Sequence, residues 1–151
     1  MMMQELWQDL KAFGGVPVFV VIVLAALVFN KTSLAAQVVL GFAVSFALTF
    51  AIRAFYFRRR PDREEYRSFF QRIDASSFPS LHAMRAAVLW VLMMFAFPQP
   101  YLIALFALII VFVAVARVYL NRHYPSDVIA GVVIGAIIAY ACTKIVPLLG
   151  F

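Results

Sequence analysis

Residues 101–149 read YLIALFALIIVFVAVARVYLNRHYPSDVIAGVVIGAIIAYACTKIVPLL. Two apolar runs, about Tyr101 to Leu120 and about Pro125 to Leu149, flank the short break Asn121-Arg122-His123-Tyr124. Each run has the roughly 20 residues that an α-helix needs to cross the hydrocarbon of a bilayer. Pro125 disfavours helix at Tyr124 and suits the first turn of the helix that follows. The spacing therefore predicts two membrane-spanning helices joined by a tight polar turn.

Working outward, three more apolar segments fit the same reading. The first runs from about Val16 to Asn30 and is short, and the second from about Leu34 to Phe57. The third runs from about Pro79 to Phe97, ended by Pro98-Gln99-Pro100. A polar, Arg-rich stretch from about Arg58 to Ser77 separates the second from the third. Composition agrees: the chain is 66% hydrophobic and 13% charged, against roughly 25% charged in soluble domains. A soluble chain of 151 residues could not bury so much apolar surface in one core. The expected fold is all-α, a polytopic bundle of about five spans in one domain over 1–151, placed in the cell membrane. Residues 1–13 carry Leu6, Trp7, Leu10 and Phe13 at helical spacing among Glu5, Asp9 and Lys11, which predicts a short interfacial helix. No cleavable signal peptide is evident, and Cys142, the one cysteine, reads as a packing residue. With one cysteine there is no intramolecular disulfide and no cysteine metal cluster. The net charge of +6 does not point to nucleic acid, because most Arg residues sit in two short stretches between apolar runs. That pattern suits a local anionic ligand or lipid headgroups.

Alternating spans place the N-terminal segment, the Arg-rich stretch and the Asn121–Tyr124 turn on one side of the membrane. The unusual polar residues gather there. Arg53 and Arg60 share a stripe if the second helix continues that far, and would form a fork for phosphate oxygens; Pro61 then stops the helix. Ser76-Ser77-Phe78-Pro79-Ser80-Leu81-His82 opens the third span, where the amides of Ser80, Leu81 and His82 would make an anion site. Arg117 closes the fourth span. His123 lies just outside the fifth, with Asp127 in its first turn, where the carboxylate could accept from His123 and fix its tautomer. Arg85 lies one turn deeper than His82 and should face the bundle interior or water, where it could reach a second phosphate or pair with Asp127. Taken singly, each residue has a plainer reading. The arginines could be snorkelling interfacial residues, His82 a hydrogen-bonded one, and Asp127 a helix-start charge.

Taken together, Arg53-x6-Arg60-Pro61, Pro79-Ser80-Leu81-His82 and Ala116-Arg117-x5-His123-x3-Asp127 resemble the three-part signature of the type 2 phosphatidic acid phosphatase and vanadium haloperoxidase superfamily. The resemblance covers about residues 50–135 and keeps the order and spacing of all three motifs. Arg53 stands where the family has Lys, Leu81 where it has Gly, and Ala116 where it has Ser. These departures narrow the pocket and remove a hydroxyl. The family usually has six spans, and five are read here.

The resemblance implies an integral membrane phosphatase acting on a lipid phosphate or diphosphate, with no metal or other cofactor. In it His123 is the nucleophile and forms a phosphohistidine, Asp127 orients it, and His82 is the general acid. Arg53, Arg60, Arg117, Ser80 and the amide of Leu81 bind phosphate. Arg85, outside the family motifs, is a candidate substrate contact by its position alone. The competing classes are a non-catalytic lipid-phosphate binder or transporter using the same cationic pocket, and a structural bundle in which Gly131-x3-Gly135 is a helix contact. The substrate, the oligomeric state and the choice between mono- and diphosphate stay open. The site side also carries Lys11, Arg58, Arg59, Arg63, Arg67, Arg72 and Arg122, against Lys31 and Lys144 on the other. The positive-inside rule then favours a cytoplasmic site, whereas family sites more often face away from the cytoplasm.

Overall fold

The computed structural model describes residues 11–62 and 67–151. Among these described residues six α-helices follow in order: α1 (Val16–Val28), α2 (Thr32–Phe55), α3 (Phe69–Ala75), α4 (Leu81–Ala96), α5 (Pro100–Tyr119) and α6 (Pro125–Leu148). The molecule is a polytopic membrane helical bundle. Three helices, α2, α5 and α6, are long and apolar enough to cross a bilayer, and α1 and α4 are shorter apolar helices. At 1.5 Å per residue α1 is about 20 Å long and α4 about 24 Å, against about 36 Å for α2 and α6. These five correspond to the five expected spans. α3 was not anticipated; seven residues among arginines carry too little periodicity to announce a helix. Ser68 caps it, its hydroxyl accepting from the Gln71 N–H at 3.2 Å.

Residues 1–10 and 63–66, with most of the expected interfacial helix and Arg63, lie outside the described residues. The described end of the N-terminal stretch, Lys11–Gly14, is a 3-10 turn. It packs on α4: the Phe13 carbonyl accepts from the Trp90 indole N–H at 3.2 Å.

α4 is the axis of the bundle, and every residue from Ala83 to Trp90 is buried. α6 approaches it through Gly131 and Gly135. A side-chain carbon at Gly131 would lie 2.6 Å from the Ser80 carbonyl oxygen, and one at Gly135 would strike the Met84 carbonyl. The helix contact expected of this pair is thus made with the backbone of α4. The outward faces of α1, α2, α5 and α6 carry exposed Val, Leu, Ile and Phe, the side chains that bilayer lipid solvates.

Helix ends at the two faces are made alike. After α1, Asn30 adopts a left-handed φ of 54°, with Asn30 N–H on the Leu27 carbonyl and Lys31 N–H on the Ala26 carbonyl. After α5, Asn121 does the same at φ 53°, with Asn121 N–H on Val118 and Arg122 N–H on Arg117. Asparagine tolerates this conformation, and the bond pair is a Schellman ending.

Candidate active site

The Schellman ending of α5 sets the first part of the site. The Arg117 carbonyl accepts from both Arg122 and His123 N–H at 3.2 Å. The helix that carries the Arg117 guanidinium thereby also fixes the backbone of His123. Two residues later Pro125 begins α6, and the Asp127 carboxylate turns back to accept the Tyr124 N–H at 3.1 Å.

The second part comes from the chain between α2 and α4. The second helix does not continue to Arg60. It ends at Phe55, and Tyr56 is extended. Arg59 instead pairs with Ser76 in an antiparallel bridge, and Ser77 N–H donates to the Arg58 carbonyl at 2.7 Å. This pairing carries Ser77 to His123. The imidazole Nδ1 lies 2.7 Å from the Ser77 carbonyl oxygen. A carbonyl only accepts, so Nδ1 bears the proton and Nε2 keeps its lone pair.

His123 is 2% exposed. Burial is the main reason its imidazole is held far below its usual range, at about 2. The charge of Arg117, and behind it those of Arg53 and Arg60, push the same way, while the bond to Ser77 opposes them. The ring is neutral at working pH, in one tautomer, among three guanidiniums.

The expected bond from His123 to Asp127 is not formed. Asp127 is fully buried, and its oxygens are taken by the Tyr124 N–H, the Ser77 hydroxyl and Arg58 Nη1. Its influence on His123 runs through Ser77. Arg58 also donates to Ser126 Oγ at 2.9 Å and lies 4.4 Å over the Tyr124 ring, so it clamps the start of α6. The suggested pair between Arg85 and Asp127 is excluded by the same arrangement.

Arg53 is 6% exposed at the end of α2. Its Nη2 donates to the Pro79 carbonyl at 2.8 Å and its Nη1 lies 3.4 Å from the Asp74 carbonyl, while its buried Nε has no acceptor. Arg60 Nη2 donates to the Asp74 carbonyl. Burial lowers the affinity of Arg60 for its proton, and the nearby Asp74 carboxylate raises it. No hydrogen bond from the Arg117 guanidinium to a described residue is present, and its Nε is buried. Ser80 Oγ is likewise buried without a partner.

α4 begins at Leu81, two residues later than expected, after a cis Phe78–Pro79 peptide. The Ser80 N–H is not available to an anion, because it donates to the Asp127 carbonyl at 3.0 Å. The orphan amides of this helix start are those of Leu81, His82 and Ala83. His82 is half-buried on the first turn, and Gly14 packs against its carbonyl.

A family model described as the PAP2 superfamily matches residues 34–150. The chain belongs to the PAP2 superfamily. Its fold is similar to the crystal structure of LpxE from Aquifex aeolicus, with a TM-score of 0.79 and 19% identity over 95% of this chain and 86% of that one. It is also similar to the crystal structure of the first transmembrane PAP2 type phosphatidylglycerolphosphate phosphatase from Bacillus subtilis, with a TM-score of 0.78 and 23% identity over 95% of this chain and 76% of that one. At these identities the likeness is one of fold. No match to a curated protein sequence was found.

In this PAP2 chain Leu81 borders a space beside α2 and α3. With Phe46, Thr49 and Phe50 of α2 and Phe70, Ile73 and Asp74 of α3 it lines a groove of about 190 Å3 that has Arg53 at its head. The groove is mostly apolar, and its charged residues are Arg53 and Asp74.

Sequence reasoning missed Ser77 and the clamping role of Arg58. Both act through the bridge between two irregular segments, and neither has a local signature. The nearest signal was the carboxylate of Asp127, buried beside an Arg-rich stretch and in need of a partner.

Proposed function

We propose that this PAP2 protein is an integral membrane phosphatase that cleaves a lipid phosphate ester or diphosphate through a phosphohistidine at His123. One observation carries the reading: a neutral histidine, held in one tautomer by the Ser77 carbonyl, sits among guanidiniums that retain unserved donors. A pocket that only binds phosphate has use for the arginines. It has no use for an imidazole whose second nitrogen is fixed.

The steps follow from that geometry. His123 Nε2 attacks phosphorus, and the bond from phosphorus to the lipid oxygen breaks with its electron pair on that oxygen. His82 supplies the proton the oxygen takes. Arg53, Arg60 and Arg117, with Ser80 and the first amides of α4, hold the charge that grows on the transferring group. Asp127 and Arg58 keep Ser77, and through it the ring, in place. Water then attacks phosphorus, His82 takes its proton, and phosphate leaves as His123 is restored. The apolar groove beside Arg53 suits the lipid tail next to the headgroup.

The test is phosphate release by detergent-purified protein with excess chelator, from lipid phosphates and isoprenyl diphosphates, comparing wild type with His123→Ala. Release that survives chelation and vanishes in the variant is expected. Release unaffected by the substitution would sink the mechanism. Binding of the same lipids without release from any of them would favour a non-catalytic lipid-phosphate binder.

A further inference from the structure

Arg85 has no part in the scheme above, yet it is the most unusual charge in the molecule. It lies within the fully enclosed stretch of α4 and is 7% exposed. Its one described contact is the face of the Phe42 ring, 5.3 Å from the guanidinium carbon. No carboxylate or carbonyl among the described residues takes its N–H groups, and its Nε is buried without an acceptor. A charge in this state inside a membrane bundle is costly, and such residues face interior cavities or partners.

Three facts relate Arg85 to the site. It is four residues from Leu81, so the two share a face of α4, and Leu81 lines the groove headed by Arg53. On α2, Phe42, Phe46, Thr49 and Arg53 are spaced four, three and four apart and share one stripe, and Arg85 stacks on the Phe42 ring of that stripe. Finally, Arg117, near the end of α5, is a second buried arginine in the same condition. Arg117, like Arg85, has no acceptor among the described residues. Two buried guanidiniums without acceptors call for a ligand with two anionic groups. Arg117 stands at the level of His123, and Arg85 is one turn below His82, toward the membrane interior.

We propose that Arg85 forms a second anion subsite on the tail side of the scissile bond, which makes a lipid diphosphate the substrate class of this site. The inference rests on the phosphatase reading. The outer phosphoryl group meets His123, Arg53 and Arg117. The inner phosphate, attached to the tail and therefore deeper, meets Arg85. When the bond from the outer phosphorus to the bridging oxygen breaks, the electron pair stays on a lipid monophosphate. Arg85 then neutralises that leaving group while His82 protonates it.

The experiment compares farnesyl diphosphate with farnesyl monophosphate as substrates for wild type, Arg85→Met and Arg85→Lys. A charge-assisted contact of this kind predicts that Arg85→Met lowers kcat/KM for the diphosphate by roughly 10- to 100-fold. That loss should exceed the loss for the monophosphate at least ten-fold, and Arg85→Lys should recover part of it. Equal losses on both substrates, or no loss on either, overturn the proposal. A second arm measures binding of the methylene-bridged diphosphonate analogue of farnesyl diphosphate to His123→Ala protein with and without Arg85→Met. Weaker binding in the double variant supports the subsite even if wild type releases no phosphate, in which case the phosphatase reading alone has failed. Unchanged binding overturns the subsite.

Discussion

At the scale of single residues, the site turns on how one imidazole is held. Ser77 contributes its carbonyl to His123 and its hydroxyl to Asp127, so the two side chains communicate without touching. Ser77→Ala keeps the carbonyl and should therefore cost less turnover than Asp127→Asn, which weakens three contacts at once. The expected losses are a few-fold and on the order of 100-fold in kcat, since hydrogen bonds to a buried charge are the strong ones. A larger loss in Ser77→Ala would mean that the hydroxyl acts on substrate directly. Arg58 is about a third exposed, so Arg58→Gln should cost less than Asp127→Asn, roughly ten-fold. The depressed His123 imidazole sets a pH behaviour of its own. The folded chain leaves it neutral down to about 2, while the unfolded chain protonates it near 6.5. Below about 6.5 the unfolded state binds a proton the folded state does not, so stability falls with pH from there toward 2 and is unaffected above. His123→Gln should flatten that slope in acid-unfolding curves, and 15N NMR of wild type should show a neutral ring with the proton on Nδ1 at pH 5.

At the scale of elements, the contact of α6 with α4 and the bridge between the two irregular strands do most of the positioning. Gly131 faces the Ser80 carbonyl, beside the Ser80 N–H that holds Asp127. Gly135 faces Met84, a turn below the site. Both Gly→Ala changes overpack the same seam and should each lower stability by about 1–3 kcal/mol. Gly131→Ala should also lower turnover in the protein that remains folded, whereas Gly135→Ala should not; thermal unfolding in detergent alongside specific activity separates the two. The apolar runs made α1, α2, α4, α5 and α6 legible in the sequence. Pro125, Asp127 and the Asn121 turn gave the local geometry around His123, because helix-end rules are local. The stretch from Tyr56 to Ser80 was not legible. Its shape is set by pairing residue 59 with residue 76, which no periodicity reports. That is why Arg60 was placed on a helix, Asp127 was given His123 as a direct partner, and Ser77 passed unnoticed.

At the scale of the whole molecule, the helix directions put all the site residues at one face and Lys31 and Lys144 toward the other. Lys31 sits 5.5 Å over Phe97 at that far end. We propose that the face with the site is the cytoplasmic one, because Arg58, Arg59, Arg67, Arg72 and Arg122 crowd it. A fluorescent reporter fused at the C-terminus should then be excluded from the cytoplasm, and a cytoplasmic reporter would reverse the assignment. The enclosure of α4 bears on how such a molecule is made. The ribosome delivers this helix before α5 and α6 exist. At that moment a 16-residue segment with an arginine in its second turn, where the cost of insertion is below the roughly +2.5 to +3.5 kcal/mol of a helix centre but still unfavourable, has neither the length nor the polarity to settle in lipid alone. Its residence in the membrane depends on α6, whose glycines close over it. In a nascent chain cut after Phe97, a cysteine introduced as Val88→Cys should be open to a water-soluble maleimide, and in the complete chain it should be protected. The helix at the centre of the finished bundle is thus among the last to be secured.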